Sequence, residues 1–297
     1  MKNFFTCILL FSITLSLQGQ DYIESTSHND AFRGAKRHLQ YRPDGNDFVC
    51  INGKNKYTRA LYGSHTPFRL ETSDFPIFAA YDKINSKNIS FVVNLPLDSV
   101  AYCESHYSAA KRTYLLRDPS WGKGEIHITV LALPNENEEG AIWKFEPIKM
   151  PSNSTLICRV CETKQPKLMR NGDMGVDPPD CFDASHLPKQ MEIFTIKLKK
   201  KPSYFILKSL HGFLLKEQAK DIFIKAERAA QDLNNRLIIK TPDPYLNTLG
   251  GILAAAADGI WDGQTWLHGA IGWRMALNGW RAAYTGDCLG WHDRART

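Results

Sequence analysis

A change of period near residue 216 constrains this chain more than any other feature. Between residues 40 and 210 the apolar residues come in short runs, several alternating with polar ones, as in Glu125-Ile-His-Ile-Thr-Val130. A period of two puts successive side chains on opposite faces of a strand, so such a run buries one face and wets the other. Gly, Pro, Asn and Asp punctuate the runs. From residue 216 the period becomes helical. Ala219, Ile222, Phe223, Ala226, Ala229 and Ala230 share one side of a helix expected over 216–233. A block of strands followed by a block of helices predicts an α+β, multidomain chain.

The strand runs expected are 48–51, 57–62, 89–95, 126–133, 141–148, 191–198 and 204–207. Asn52-Gly53 favours the positive φ angles of a tight reversal, so 48–51 and 57–62 are expected to form a hairpin. Many short strands with turn residues between them predict a β-sandwich. After the helix, Asn234-Asn235 ends the pattern and Leu237-Ile-Ile239 leads to Thr241-Pro-Asp-Pro244. Two prolines one residue apart make a stiff, extended connection, and the domain boundary is placed there. Helices are expected over 245–259 and 270–284, joined through the glycine-rich segment 263–269. A helical hairpin of that size cannot bury its own apolar faces. The expectation is therefore that the chain is the N-terminal fragment of a longer protein, or a truncated reading frame.

The first twenty residues have the form of an export signal. Lys2 supplies positive charge, residues 4–17 are apolar, and small residues before Gln20 suit cleavage. The apolar run is short for a membrane span, and no other stretch is long enough. The protein is expected to be exported, to the periplasm or the cell surface, with no integral membrane span. Its net charge of +6 is dispersed. The densest run, Lys197-Leu-Lys-Lys-Lys201, alternates like the wet face of a strand and lacks aromatic neighbours, so no nucleic-acid partner is expected.

Six cysteines follow the leader: Cys50, Cys103, Cys158, Cys161, Cys181 and Cys288. Cys158-Arg-Val-Cys161 admits three readings: half of a metal site completed by Cys181 or His186, a disulfide, or unpaired thiols. A second closely spaced pair, usual for structural zinc, is missing from the sequence, so no metal or other cofactor is expected. Asp173, Asp177 and Asp180 lie among turn residues without the bidentate Glu of a calcium loop.

Residues 266–297 concentrate Trp266, Trp273, Trp280 and Trp291 with Arg274, Arg281, Arg294 and Arg296. Trp273, Leu277, Trp280 and Tyr284 fall on one helix face, and residues 285–294 form a polar loop hinged by glycine. One reading is structural: tryptophans in a core and Arg–Asp pairs beside it. The other is sugar recognition. Sugars offer C–H faces to indole and hydroxyls to paired donors and acceptors. The candidate substrate-binding residues are Trp266, His268, Trp273, Arg274, Trp280, Arg281, Asp287, Trp291, His292 and Asp293. Asp287 and Asp293 are the candidates for carboxylate chemistry. Glycoside hydrolysis needs two carboxyl groups, about 5–5.5 Å apart for retention and about 6.5–9.5 Å for inversion.

The stretch TPDPYLNTLGGILAAAADGIWDGQTWLHGAIGWRMALNGWRAAYTGDCLGWHDRAR resembles a family of large exported proteins of polysaccharide-degrading gut bacteria. RPDGNDFVCINGKNKYTRALYGSHTPFRLETSDFPIFAAY and RNGDMGVDP are similar to the β-domain of that family. The family is catalogued as a domain of unknown function and itself resembles the six-hairpin glycosidases, in which a linker helix joins a β-sandwich to an (α/α)6 barrel. The Tyr284-Thr-Gly-Asp287…Gly290-Trp291 loop is similar to a Gly-Trp-Thr-Gly-Asp loop of those enzymes. The resemblance implies four segments: a signal peptide (1–20), a β-sandwich (21–215), a linker helix and bridge (216–240), and the start of an α-helical toroid (241–297). It also implies a poly- or oligosaccharide substrate, a general acid supplied by later hairpins, and a rim role for Arg274, Arg281, Asp287, Trp291, His292 and Asp293. Two departures stand out. Residues 158–169 replace a glycine-rich loop, and Cys288 replaces a small residue. The alternatives are a non-catalytic glycan-binding or surface-assembly protein, and a structural sandwich whose tail docks on a partner.

Overall fold

The computed structural model describes residues 23–24, 38–62, 68–81, 86–134, 140–162, 191–208, 212–214, 219–268, 276 and 279–296. The signal segment, the 173–180 turn, Cys181, His186, Trp273 and Arg274 lie outside the described residues.

Chain order explains how the strands sort into sheets. β1 (Ile23–Glu24) and β2 (His38–Leu39) pair only with each other, while β3 (Arg42–Asp44) and β4 (Asp47–Ile51) form a hairpin. β5 (Arg59–Tyr62), β6 (Arg69–Thr72), β7 (Ile77–Tyr81) and β8 (Ser86–Val93) then meander, and β9 (Leu95–Pro96) folds back on β8. A second meander follows in β10 (Tyr102–Ser108), β11 (Lys111–Arg117), β12 (Glu125–Ala132) and β13 (Gly140–Ile148). β14 (Thr155–Glu162) and β15 (Met191–Lys197) extend the first meander beyond β8. β16 (Ser203–Lys208) and β17 (Gly212–Leu214) extend the second beyond β13. Among the described residues the sheets therefore run β17-β16-β13-β12-β11-β10-β4-β3 and β15-β14-β8-β7-β6-β5, every pairing antiparallel. This is the expected two-sheet, sandwich-like arrangement. β15 ends one sheet, which explains its lysine-rich exit.

The core lies between the sheets. Ile126, Ile128 and Val130 of β12, and Ala141, Trp143 and Phe145 of β13, point inward to meet Phe78, Ile89 and Phe91 of the other sheet. The Trp143 ring lies 5.5 Å from Phe78 and 5.4 Å from Phe205, both tilted well away from a parallel stack, as aromatic quadrupoles prefer. The alternate residues Leu131, Ile142 and Ile206 point outward instead, yet they are buried too. There α1 (Ala219–Arg236) covers them with Ala219, Phe223, Ala226 and Ala230. Burial on both faces makes the middle strands read as unbroken apolar runs. Phe223 is 3% exposed, and Phe223→Ala would cost about 3–5 kcal/mol.

Two expectations are corrected. The hairpin of 48–51 with 57–62 does not form: β4 pairs with β3 and β10, while β5 belongs to the other sheet. Asn52 does take φ 48°, as Asn-Gly chemistry suggests, but the chain there crosses between layers. The Asn52 amide donates to the Cys103 carbonyl, and its side-chain oxygen accepts from the Cys103 amide, which holds the crossing in place. Gly53 is required by contact: a Cβ would stand 2.4 Å from Asp74 Oδ2. Second, the helix expected over 270–284 begins later. Ala276 forms an antiparallel bridge with Leu267, and α3 runs Gly279–Cys288. Of the three readings open for Cys158 and Cys161, the structure shows unpaired thiols. Three residues apart on β14, they face opposite sides, Cys158 in the core and Cys161 half-exposed. Cys50, Cys103, Cys158, Cys161 and Cys288 are all free thiols. No group of three or more His, Cys, Asp or Glu suited to a metal occurs among the described residues.

α2 (Pro244–Gly259) starts where its sequence predicts. Asp243 accepts a bond from the Tyr245 amide at 2.8 Å, and Pro244 occupies the first turn, where its missing N–H costs nothing. α2 packs on α1 and on β3, β5 and β10. Its last residue, Gly259, meets the sandwich so closely that a Cβ would stand 2.4 Å from Tyr62 Cγ. The chain then forms α4 (His292–Ala295) after α3. No helix among the described residues is long and apolar enough to cross a membrane.

One polar group is sealed inside the sandwich. Arg112 and Asp74 both have side chains 0% exposed. Arg112 Nη2 donates to the Ser73 carbonyl at 2.8 Å, to Ser105 Oγ at 3.0 Å and to Asp74 Oδ1 at 3.4 Å. Asp74 also accepts from the Tyr41 hydroxyl at 2.8 Å and from the Asn55 amide at 2.9 Å. Arg112 Nε and Nη1 have no hydrogen-bond partner among the described residues, but the guanidinium carbon lies 5.4 Å from the Tyr114 ring centroid and 5.9 Å from that of Tyr107. Burial pushes the nearby Cys50 thiol up to about 11, so it stays protonated and unreactive.

Candidate functional site

A cleft of about 200 Å³ opens where α1, the end of β12, the β10–β11 turn and the C-terminal segment converge. Its floor is apolar and small: Ala226, Ala229 and Ala230 from α1, Ala132 and Leu133 from β12 and its exit, and Ala110 from the turn. Alanines at 226 and 230 let α1 sit close on the sheet, and Ala229 is the neighbour left facing the cleft. Tyr62 and Trp291 form walls. Asp232 and Arg236 carry both signs of charge at its exposed edge, while Asp258, which is buried, is bound to Arg294.

Trp291 organises the C-terminal side. The Arg294 guanidinium lies 4.3 Å from its ring centroid and that of Arg236 lies 5.3 Å away. These are cation–π distances. Arg294 Nη1 also donates to Asp258 Oδ1 at 2.8 Å, tying the last short helix to the end of α2. Behind Trp291 stand Trp266, whose centroid is 6.4 Å from it, and Trp261, 4.6 Å from Trp266. Gly286 lets Trp266 and the Trp291 carbonyl come close.

The sequence candidates divide among these places. Trp266 is 0% exposed and its indole N–H donates to the Ala257 carbonyl, so its ring offers no face to solvent. His268 is half-buried just after it. Trp291 lines the cleft. Asp287 and His292 bond to each other at 3.0 Å, with side chains 60% and 65% exposed, on the outer surface. Asp293 is exposed on α4, and Arg281 is exposed on α3. Trp280 lies on α3, but its side chain is outside the described residues, as are Trp273 and Arg274 altogether. The cleft residues Tyr62, Asp232, Arg236 and Asp258 were not among the sequence candidates. Asp232 and Arg236, four apart on α1, are legible as a helix-surface pair. Nothing in the sequence shows that α1 turns that edge toward Trp291.

A family model described as a domain of unknown function (DUF4450) matches residues 92–229. The match spans the end of β8 through most of α1, including floor residues Ala226 and Ala229. It stops before Asp232, α2 and the tryptophan-rich segment. No curated protein and no solved structure matches the chain.

Proposed function

We propose that this chain is the glycan-recognising N-terminal portion of an exported glycoside-hydrolase-like protein, with residues 241–297 beginning an (α/α)6-type barrel. The described residues bind sugar and do not cleave it. One observation carries this reading: a cleft of about 200 Å³ lined by alanines, an aromatic wall, and two carboxylates and two guanidiniums, of which Asp232 and Arg236 stand exposed at the rim. A cavity of about 150 Å³ accepts a six-membered carbon ring, so the cleft is the size of one sugar residue. Neutral sugars need donors and acceptors together, and the rim supplies both.

A binding role without catalysis is favoured by the state of the carboxylates. Asp258 is already bound by Arg294 at 2.8 Å, and Asp287 by His292 at 3.0 Å on the outer surface, away from the cleft lining. On this reading the acid that cleaves comes from a later part of a longer protein, as the resemblance implies.

Calorimetric titration of the mature chain against a panel of monosaccharides and oligosaccharides tests the proposal. Saturable binding, weakened at least tenfold by Trp291→Ala or Asp232→Ala, is expected, with no released sugar. No binding to any member, or binding indifferent to both substitutions, would end it.

A further inference from the structure

We infer that the sugar seated in this cleft carries a methyl group, as 6-deoxyhexoses and N-acetylhexosamines do. The inference rests on the glycan reading above and specifies its ligand. The cleft is divided by polarity. Asp232 and Arg236 stand exposed at its edge, Asp258 is buried and bound to Arg294, and alanines together with Leu133 line the rest. Ala226, Ala230 and Leu133 are 2%, 6% and 2% exposed, and they also belong to the apolar cluster between α1 and the eight-stranded sheet. The ligand's lower edge therefore meets Ala110 and Ala229, the partly exposed alanines at the margin of that apolar core.

A hydroxymethyl group placed on that floor gives up its bonds to water, and the alanine side chains return none. A methyl group loses nothing there and gains apolar contact. The Trp291 ring already receives two guanidiniums, at 4.3 and 5.3 Å, so the floor is the cleft's least committed apolar surface. The rest of the sugar ring, with its hydroxyls, then faces the edge, where Asp232 supplies an acceptor and Arg236 a donor. Discrimination by one such group in an apolar pocket is about tenfold to a hundredfold.

The experiment titrates the unmodified mature chain, by calorimetry or by ligand-observed NMR, with sugar pairs matched except at the methyl. L-fucose is set against L-galactose, L-rhamnose against L-mannose, and N-acetylglucosamine against N-formylglucosamine. At least one methyl-bearing member is expected to bind tenfold or more tightly than its counterpart, and the winning pair identifies the source of the methyl. Ala229→Ser, which adds a hydroxyl to the floor, is expected to shrink that preference. Equal affinity within every pair overturns the inference and leaves the glycan reading standing. Absence of binding by all six sugars and by oligosaccharides overturns both.

Discussion

The sealed Asp74–Arg112 group and the open cleft around Trp291 are built from the same materials: arginine, aspartate and aromatic rings. Between the sheets, Arg112 has 0% exposure and its contacts go to this chain's own carbonyl, hydroxyl, carboxylate and rings. At the cleft, Arg236 and Asp232 remain exposed on α1, and the rings they border face a space. Residue type is therefore a poor guide to function here. What separates a structural group from a binding group is whether water, and hence a ligand, can reach it.

The sharpest break of that comparison comes from removing one partner in each place. Asp74→Ala leaves Arg112 charged, buried and short of its carboxylate. Stripping one member from a buried pair costs about 3–5 kcal/mol, so a large fall in the denaturation midpoint is expected. Asp74→Leu combined with Arg112→Met should recover much of that loss, because no orphaned charge remains. A midpoint little changed by Asp74→Ala would mean that water reaches the site.

Gly259→Ala tests how the helical part meets the sandwich. The new methyl would lie 2.4–2.8 Å from Tyr62 atoms, so either Tyr62 or the end of α2 must shift. Overpacking of this kind costs about 1–3 kcal/mol. Tyr62 also lines the cleft, so sugar affinity is expected to fall alongside stability. A neutral result in both assays would show that the α2–β5 contact is loose. Trp291→Ala reverses the balance. The ring is only half-buried, so the stability cost is about 1–2 kcal/mol, while binding is expected to fall at least tenfold. If stability fell as far as with Asp74→Ala, Trp291 would belong with the core and not with the site.

Much of the sandwich was legible because burial on one face leaves a period of two. Residues 126–133 and 141–148 matched β12 and β13 to within a residue or two. The β10–β11 hairpin escaped because its turn carries no glycine: Ala110 itself takes φ 53° between Ser108 and Lys111. The misplaced 48–62 hairpin shows the complementary limit. Asn52-Gly53 reports a local reversal and says nothing of which sheet receives the next strand. Trp266 and Trp291 carry the same signal in the sequence, which does not tell a sealed indole from one at a cleft wall. Arg112 and Asp74 carry no signal in the sequence. They lie 38 residues apart with no shared motif, and only the stacking of two sheets joins them.

The smallest expected effect is a pH dependence at the outer face of β4 and β10, where polar groups are neither sealed nor open. His106 Nδ1 faces Asp47 at 3.5 Å and Nε2 faces Glu104 at 2.8 Å. A neutral imidazole has one N–H and serves one carboxylate as donor; the imidazolium serves both. The hydrogen bond to Asp47 raises the His106 pKa against the opposing effect of burial, with Glu104 adding to the rise. Burial pushes the Asp47 carboxyl up, but His106, Lys111 and Ser108 bring it below its usual range. Hydrogen bonds from His106 and then Tyr102 lower Glu104, with Arg42 contributing. For a raised histidine, stability is full below its unfolded pKa of about 6.5 and is lost as pH rises through the folded value. For lowered carboxylates, stability is full above about 4.3 and is lost as pH falls through their folded values. The bridge is therefore strongest between about pH 4.5 and 6.5. All three side chains are about a quarter exposed, so its worth is held below about 1 kcal/mol by solvent screening. The stability gap between the native chain and His106→Gln, read by denaturant titration, should be wider near pH 5.5 than near pH 8.5. A gap that is equal at both, or wider in alkali, would show that His106 holds β4 to β10 as a neutral donor.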